Sequence, residues 1–231
     1  MNGLATGLAL FDLDGTLVDS APDIADAVDV ALTACGHAPI GEGAVRNYIG
    51  NGAQRLLHCA LTGARDGEAE PALHAQAYAE FVAAYQTRLF VRTRIFAGVV
   101  DVLAMLASRG WLLGCITNKP QRFTRPLLQA AELEQYFGIV LSGDSLATKK
   151  PDPEPILHAA ALLQVPLARV VMVGDSSADL DAARNAGVAA IAVSYGYAGG
   201  TDLTCYGVPV IADLRALLPL LHNRAGIRAS A

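Results

Sequence analysis

The chain has 231 residues, 53% of them hydrophobic, and a formal net charge of -5 at pH 7. That length buries a substantial core, in one large domain or two smaller ones, and the acidic balance lacks the basic face that a nucleic-acid binder needs. The four cysteines, Cys35, Cys59, Cys115 and Cys205, form no CxxC pair, and the five histidines show no metal-ligand spacing, which argues against a zinc site or a disulfide framework.

The first residues, Met1 to Gly7, carry neither a basic n-region nor an apolar h-region. No apolar run approaches the roughly 18 residues of a membrane span, so a cytoplasmic protein without membrane contact is expected. Leu8 to Phe11 then reads as a buried strand, being short, apolar and bounded by polar residues. It runs into Asp12-Leu13-Asp14-Gly15-Thr16. From there to Phe96 no strand pattern is found. A helix is expected from Pro22 to Gly36, with Ser20 placed to cap it and Pro22 in its first turn. Further helices are expected over Ala53 to Thr62 and Ala72 to Leu89. Such a helical insertion reads as a separate small domain over residues 20–90, with hinges near Leu17 to Ser20 and Val91 to Phe96. Residues 1–19 and 91–231 form the remainder.

Beyond residue 96, helix and strand alternate. Helical stretches cover Val99 to Ser108, Arg122 to Ala131, Pro155 to Gln164 and Ala178 to Ala186. Strand-like runs cover Leu112 to Ile116, Ile139 to Ser142, Val170 to Val173, Ala189 to Val193 and Val208 to Ile211. This alternation predicts an α/β fold, an open parallel sheet with helices on both faces. The tail after His222 lacks a pattern.

Ligands of open parallel sheets sit at the carboxyl ends of the strands, and three of these strands end in polar motifs. The first gives Asp12 and Asp14, the second Thr117-Asn118, and the Val170 to Val173 strand gives Gly174-Asp175-Ser176-Ser177 with Asp179 following. Lys149-Lys150-Pro151-Asp152-Pro153 lies between the last two. Gathered on one edge, Asp12, Asp14, Asp175 and Asp179 repel one another and need a cation. An all-oxygen set suits Mg²⁺, which keeps waters and accepts a phosphate oxygen. Lys150 adds positive charge for a phosphoryl group. It is preferred over Lys149 because Pro151 restricts the residue before it. Residues i and i+2 of a strand point the same way, so Asp12 and Asp14 can address one phosphorus atom, one as nucleophile and the other as acid and base. Gly15 permits the tight backbone path that follows.

These motifs, Asp12 to Ser20, Thr117-Asn118-Lys119-Pro120, Lys150-Pro151-Asp152-Pro153 and Gly174-Asp175-Ser176 with Asp179, resemble the four motifs of the haloacid dehalogenase superfamily, in that family's order. Within it, the chain is similar to bacterial phosphoglycolate phosphatases. The resemblance implies a Rossmann-like core with an inserted helical cap, and Mg²⁺-dependent hydrolysis of a small phosphorylated metabolite, 2-phosphoglycolate, by a monomer or homodimer. It implies that Asp12 becomes aspartyl-phosphate, that Asp14 serves as acid and base and gives its backbone carbonyl to the metal, and that Asp12 and Asp175 give carboxylates. Thr117, Asn118 and Lys150 are expected on the phosphoryl oxygens. Asp179 either supports the metal or caps a helix, and it can do both. Arg46, near the Gly50-Asn51-Gly52 turn, is expected either to pair with a substrate carboxylate or to be a solvated surface arginine. The alternatives are a sugar-phosphate phosphatase, a pyrophosphatase, a phosphomutase or, from another class, a phosphorylatable signalling switch.

Overall fold

The computed structural model describes residues 6–226. Strand β1 (Gly7–Phe11) is followed by β2 (Val18–Asp19), and then by helices α1 (Ala21–Ala34), α2 (Gly41–Arg46), α3 (Ala53–Thr62) and α4 (Pro71–Tyr85). The chain returns through β3 (Arg94–Ile95). It then alternates α5 (Val99–Ser108), β4 (Trp111–Ile116), α6 (Gln121–Ala130), β5 (Ile139–Leu141), α7 (Glu154–Leu162), β6 (Val170–Gly174), α8 (Ser177–Ala186) and β7 (Ala189–Val193). β8 (Val210–Ile211) and α9 (Leu217–Gly226) close it. The sheet has six strands in the order β5-β4-β1-β6-β7-β8, with every pairing parallel. It is the open α/β sheet that the alternation predicts.

The strands are apolar on both faces because each face has its own helical layer. Ala9, Phe11, Leu113, Cys115, Val171 and Val173 point to one side, where α5, α6 and α9 bury Leu103, Leu106, Leu127 and Leu217. Leu8, Leu10, Val170 and Met172 point to the other, against Ile156 and Ala159 of α7 and Leu180 and Ala183 of α8. β1 lies in the middle, between β4 and β6. The residues at its carboxyl end are therefore flanked by the ends of both neighbours.

The helices from α1 to α4 share a third cluster around Val28, Leu32, Leu57, Phe81 and Tyr85, joined by Phe123 of α6. The chain enters and leaves this helical unit through β2 and β3, which pair antiparallel as Val18 with Ile95 and Asp19 with Arg94. A two-residue strand carries no readable period, so these strands lie unmarked within the expected hinges. Buried Asp23 fastens the return. Its carboxylate accepts from the backbone N–H groups of Val91, Arg92 and Thr93 and from the Thr93 hydroxyl. Ser20 occupies the N-cap position of α1 without capping it; its hydroxyl donates instead to Asp14 Oδ1 at 2.5 Å. Past His222 the helix α9 continues to Gly226. The rest of that tail, and Met1 to Ala5 at the start, lie outside the described residues.

Candidate active site

The Asp12 N–H donates to Val173 O at 3.0 Å, which carries the ladder one residue past β1 and brings Asp12 to the edge of the sheet. Gly15 has φ +92, and a Cβ there would stand 2.2 Å from Asp175 Oδ2. Only glycine permits both the turn and this close approach. Asp175, at the end of β6, accepts from Thr16 Oγ1 at 2.8 Å and from the Tyr197 backbone N–H at 2.6 Å. Asp179 stands in the first turn of α8. Its Oδ2 accepts from the Ser176 N–H and hydroxyl at 3.0 and 2.6 Å, and its Oδ1 from Lys150 Nζ at 2.6 Å. It therefore ties down the helix start and holds the lysine as well.

Lys150 is 2% exposed, and its ammonium donates to Asp12 Oδ1 at 2.7 Å, to Asp179 and to the Ile116 carbonyl. Lys149 points elsewhere, to Asn51 O at 3.0 Å. Oxygens of Asp12, Asp175 and Asp179 all lie within 4.8 Å of one another. Three buried carboxylates thus face one ammonium, and the electrostatics record the imbalance. Burial pushes the Asp12 carboxyl up to about 7; Lys150 opposes this, while Asp179 and Asp14 add to it. Asp175 is lifted well above the usual carboxylate range, by burial first and then by Asp12 and Asp179. Burial works against the charged form of Lys150, but Asp12 and Asp179 outweigh it and hold its pKa above the ordinary lysine value. Such a cluster is one that a cation would stabilise. The donor set is all oxygen, the kind that Mg²⁺ takes, so the residues fit that ion.

Asp14 faces a different neighbourhood. Lys119 Nζ donates to its Oδ1 and Oδ2 at 2.9 and 3.1 Å and to Tyr85 Oη at 2.7 Å, and sits 4.7 Å from the centre of the Tyr85 ring. Asp12, Asp14, Thr117, Lys119 and Tyr85 line one narrow cleft, whose other walls include Ile24, Ile49, Leu56, Phe81 and Phe123. Thr117 is buried there, and its Oγ1 accepts from the Lys119 N–H at 3.2 Å. The backbone N–H groups of Leu13, Asp14 and Asn118 have no acceptor among the described residues. Together with Lys150 and the Thr117 hydroxyl, they make a set of donors suited to an oxyanion. The arrangement can present a carboxylate to an electrophile, surround that electrophile with donors and hold a second carboxylate beside it.

Two expected residues have partners within the protein. Asn118 is expected on phosphoryl oxygens, and its side-chain Nδ2 donates to Gly50 O at 3.0 Å and to Lys150 O at 2.9 Å. It joins the helical unit to the sheet, which leaves its backbone N–H as the group for an anion. Arg46 lies outside the cleft. Its guanidinium meets Asp19 Oδ2 at 2.9 Å and Glu42 Oε1 at 2.8 Å and stacks 5.1 Å from the Tyr197 ring. In this structure two carboxylates pair with it, which places it at the junction between β2 and α2. The Gly50-Asn51-Gly52 turn does reach the cleft, through Gly50 and Gly52. Gly52 has φ +88, and a Cβ there would lie 2.9 Å from Asn118 O. Lys119 and Tyr85 went unassigned in the sequence. Lys119 belongs to a quoted motif, but only the packing of α4 across the sheet edge brings Tyr85 to it.

Known proteins match this picture closely. The pattern of the haloacid dehalogenase-like hydrolase family matches residues 9–193. A phosphoglycolate phosphatase of Nitrosospira multiformis is 44% identical over 214 residues, covering 93% of this chain and 92% of that one. One from Thiobacillus denitrificans is 41% identical, covering 94% and 92%. The crystal structure of a predicted phosphoglycolate phosphatase from Haemophilus somnus superposes with a TM-score of 0.86 at 29% identity, over 94% of this chain and 99% of that one.

Proposed function

The chain belongs to the haloacid dehalogenase-like hydrolases and is a phosphatase; from that premise we propose that it hydrolyses 2-phosphoglycolate to glycolate and phosphate through a phosphorylated Asp12. The observation that carries this reading is the buried Asp12 carboxylate, bonded to Lys150 and opening on the same cleft as Asp14. Asp12 attacks phosphorus while Asp14 gives a proton to the departing oxygen. Asp14 then takes a proton from the water that cleaves the aspartyl-phosphate, so the two carboxylates divide nucleophile from acid and base. Lys150, the Thr117 hydroxyl and the backbone N–H groups of Leu13, Asp14 and Asn118 hold the phosphoryl oxygens. Positioning and charge stabilisation do most of the work in phosphoryl transfer. Asp12 and Asp175, with the Asp14 carbonyl, would hold the ion, and Asp179 steadies that set through Lys150. When bound, Mg²⁺ polarises a phosphoryl oxygen and neutralises charge.

The helical unit of residues 20–90 acts as the cap, closing over the cleft and keeping bulk water from the intermediate. It meets the sheet edge through polar contacts, Asn118 to Gly50, Lys149 to Asn51, Arg65 to Gly199 and Lys119 to Tyr85, and through Phe123 packed on Phe81 and Tyr85. On this reading those contacts part between turnovers. No helix among the described residues is long and apolar enough to cross a membrane, and the enzyme is placed in the cytoplasm on this reading.

Phosphate release with Mg²⁺, measured for 2-phosphoglycolate against sugar phosphates, nucleotides and pyrophosphate, tests the substrate. A lead of about a hundredfold in kcat/KM, roughly 2.7 kcal/mol of transition-state preference, supports 2-phosphoglycolate. A sugar phosphate or pyrophosphate in the lead overturns that substrate, and rearranged sugar phosphate without free phosphate turns the reading to a mutase.

A further inference from the structure

We infer that Lys119 and Tyr85 form the binding site for an anionic group on the leaving group, and so select monoesters whose alcohol carries a carboxylate close to the ester oxygen. The inference rests on the phosphatase reading above and adds the residues that set its preference.

Lys119 is the one cation among the residues lining the cleft, whose charged walls are otherwise Asp12 and Asp14. Its ammonium is buried, 2.9 Å from Asp14 Oδ1. Asp14 is the group that must meet the ester oxygen, so an anionic group one carbon beyond that oxygen falls within reach of the ammonium. Tyr85 supplies a second donor. Its oxygen accepts from Lys119, while its own O–H has no acceptor among the described residues. Burial first, and then Asp14 and Asp23, hold its pKa well above the ordinary phenol value, so it stays a neutral donor. An ammonium and a phenol held 2.7 Å apart match the two oxygens of a carboxylate.

The other walls decide against a polyol. Ile24, Ile49, Leu56, Phe81 and Phe123 offer no hydrogen bonds, and both Asn118 side-chain N–H groups are taken. Asn118 Oδ1 is the one buried side-chain acceptor there without a partner among the described residues, so a sugar would bury most of its hydroxyls unpaired. A short acid has one group to satisfy, and the Lys119–Tyr85 pair satisfies it. Its arrival also frees Asp14, because the ammonium exchanges one carboxylate for another and leaves Asp14 to the ester oxygen.

The test compares kcat/KM for 2-phosphoglycolate and for ethyl phosphate, a monoester of similar length whose alcohol carries no charge, in the Mg²⁺-loaded full chain and its Lys119→Met and Tyr85→Phe variants. The wild type should prefer the carboxylate ester by about a hundredfold. Lys119→Met should reduce that ratio at least thirtyfold, and Tyr85→Phe about fivefold, with the change in KM for the carboxylate ester. Glycolate should inhibit the wild type competitively and Tyr85→Phe more weakly. A loss of activity on both esters with the ratio intact overturns the inference, because it assigns Lys119 to the chemistry or to folding. Tyr85→Phe, which keeps the ring, answers the question if Lys119→Met fails to fold; an unchanged ratio there also overturns it. If the wild type hydrolyses ethyl phosphate as fast as any carboxylate ester, the inference fails while the phosphatase reading stands. If a different carboxylate ester leads, 2-phosphoglycolate is the wrong substrate and the Lys119–Tyr85 site is retained. If neither ester nor any other monoester is cleaved, the phosphatase reading itself fails.

Discussion

The sheet edge and the helical unit above it are built by opposite means. At the edge, charged and polar side chains are buried and bonded to one another: Lys150 to Asp12 and Asp179, Thr16 to Asp175, Lys119 to Asp14. In the helical unit the core is apolar, around Leu32, Leu57 and Phe81, and its chief contributions to the cleft are carbon surface and the Tyr85 hydroxyl. A buried charge tolerates almost no change, since removing one partner strands the other at a cost of about 3–5 kcal/mol, whereas an apolar wall tolerates swaps of similar volume. On the proposed reading the chemistry rests at the edge, and the choice of substrate is shared between Lys119 of that edge and Tyr85 of the adaptable layer.

The largest break in that contrast is at Asp12. Asp12→Asn should lower kcat by about 10⁴-fold or more, as loss of a nucleophile does, while the fold, followed by far-ultraviolet circular dichroism, is kept. Gly15→Ala should follow, because a methyl group 2.2 Å from Asp175 Oδ2 displaces a carboxylate of the ion site. We expect activity to fall about a hundredfold and the Mg²⁺ concentration for half-activity to rise, in the range for disturbed metal surroundings.

The same cluster sets a pH dependence. Burial lifts Asp12 from 3.8 to about 7, so between those values the ion-free folded chain keeps a proton that the unfolded chain has released. Stability of the ion-free protein therefore falls as pH rises through that window. The ion needs the ionised carboxylate, so Mg²⁺ should raise Tm more at pH 8 than at pH 5.5 by differential scanning fluorimetry. An equal rise at both pH values contradicts the charge imbalance described here.

Smaller effects belong to the helical unit and its junction. Gly52→Ala meets Asn118 O at 2.9 Å and a φ of +88, and should raise KM about tenfold with a lesser change in kcat, as a disturbed closure does. Arg46→Ala should change KM for 2-phosphoglycolate less than about threefold, since its half-buried pairs with Asp19 and Glu42 serve the junction and such pairs contribute little. A KM rise of about a hundredfold would return Arg46 to the substrate.

The legibility of the sequence follows the same division. Apolar runs such as Leu8 to Phe11 and Val170 to Val173 mark the sheet because strands covered on both faces have no other composition, and the carboxylates stand out because they end those runs. The short β2 and β3 strands, the helix α2 and the extension of α9 to Gly226 carry too few periodic residues to be seen. Side-chain partners were harder still. Arg46 is read either as a contact for a substrate carboxylate or as a surface arginine, and Asn118 is placed by the family resemblance, yet nothing local to them shows that Asp19, Glu42, Gly50 and Lys150 take their side-chain donors. Tyr85 reads as one more apolar position of α4, and only packing against Lys119 reveals its hydroxyl.

The central claim is that phosphate passes through Asp12. Rapid acid quench of the Mg²⁺-loaded enzyme during turnover of 2-phosphoglycolate, followed by borohydride reduction and peptide mass mapping, measures it directly. The account predicts homoserine at position 12 in the wild type and none in Asp12→Asn. Steady turnover with no modification at Asp12, or with phosphate found on another residue, contradicts it.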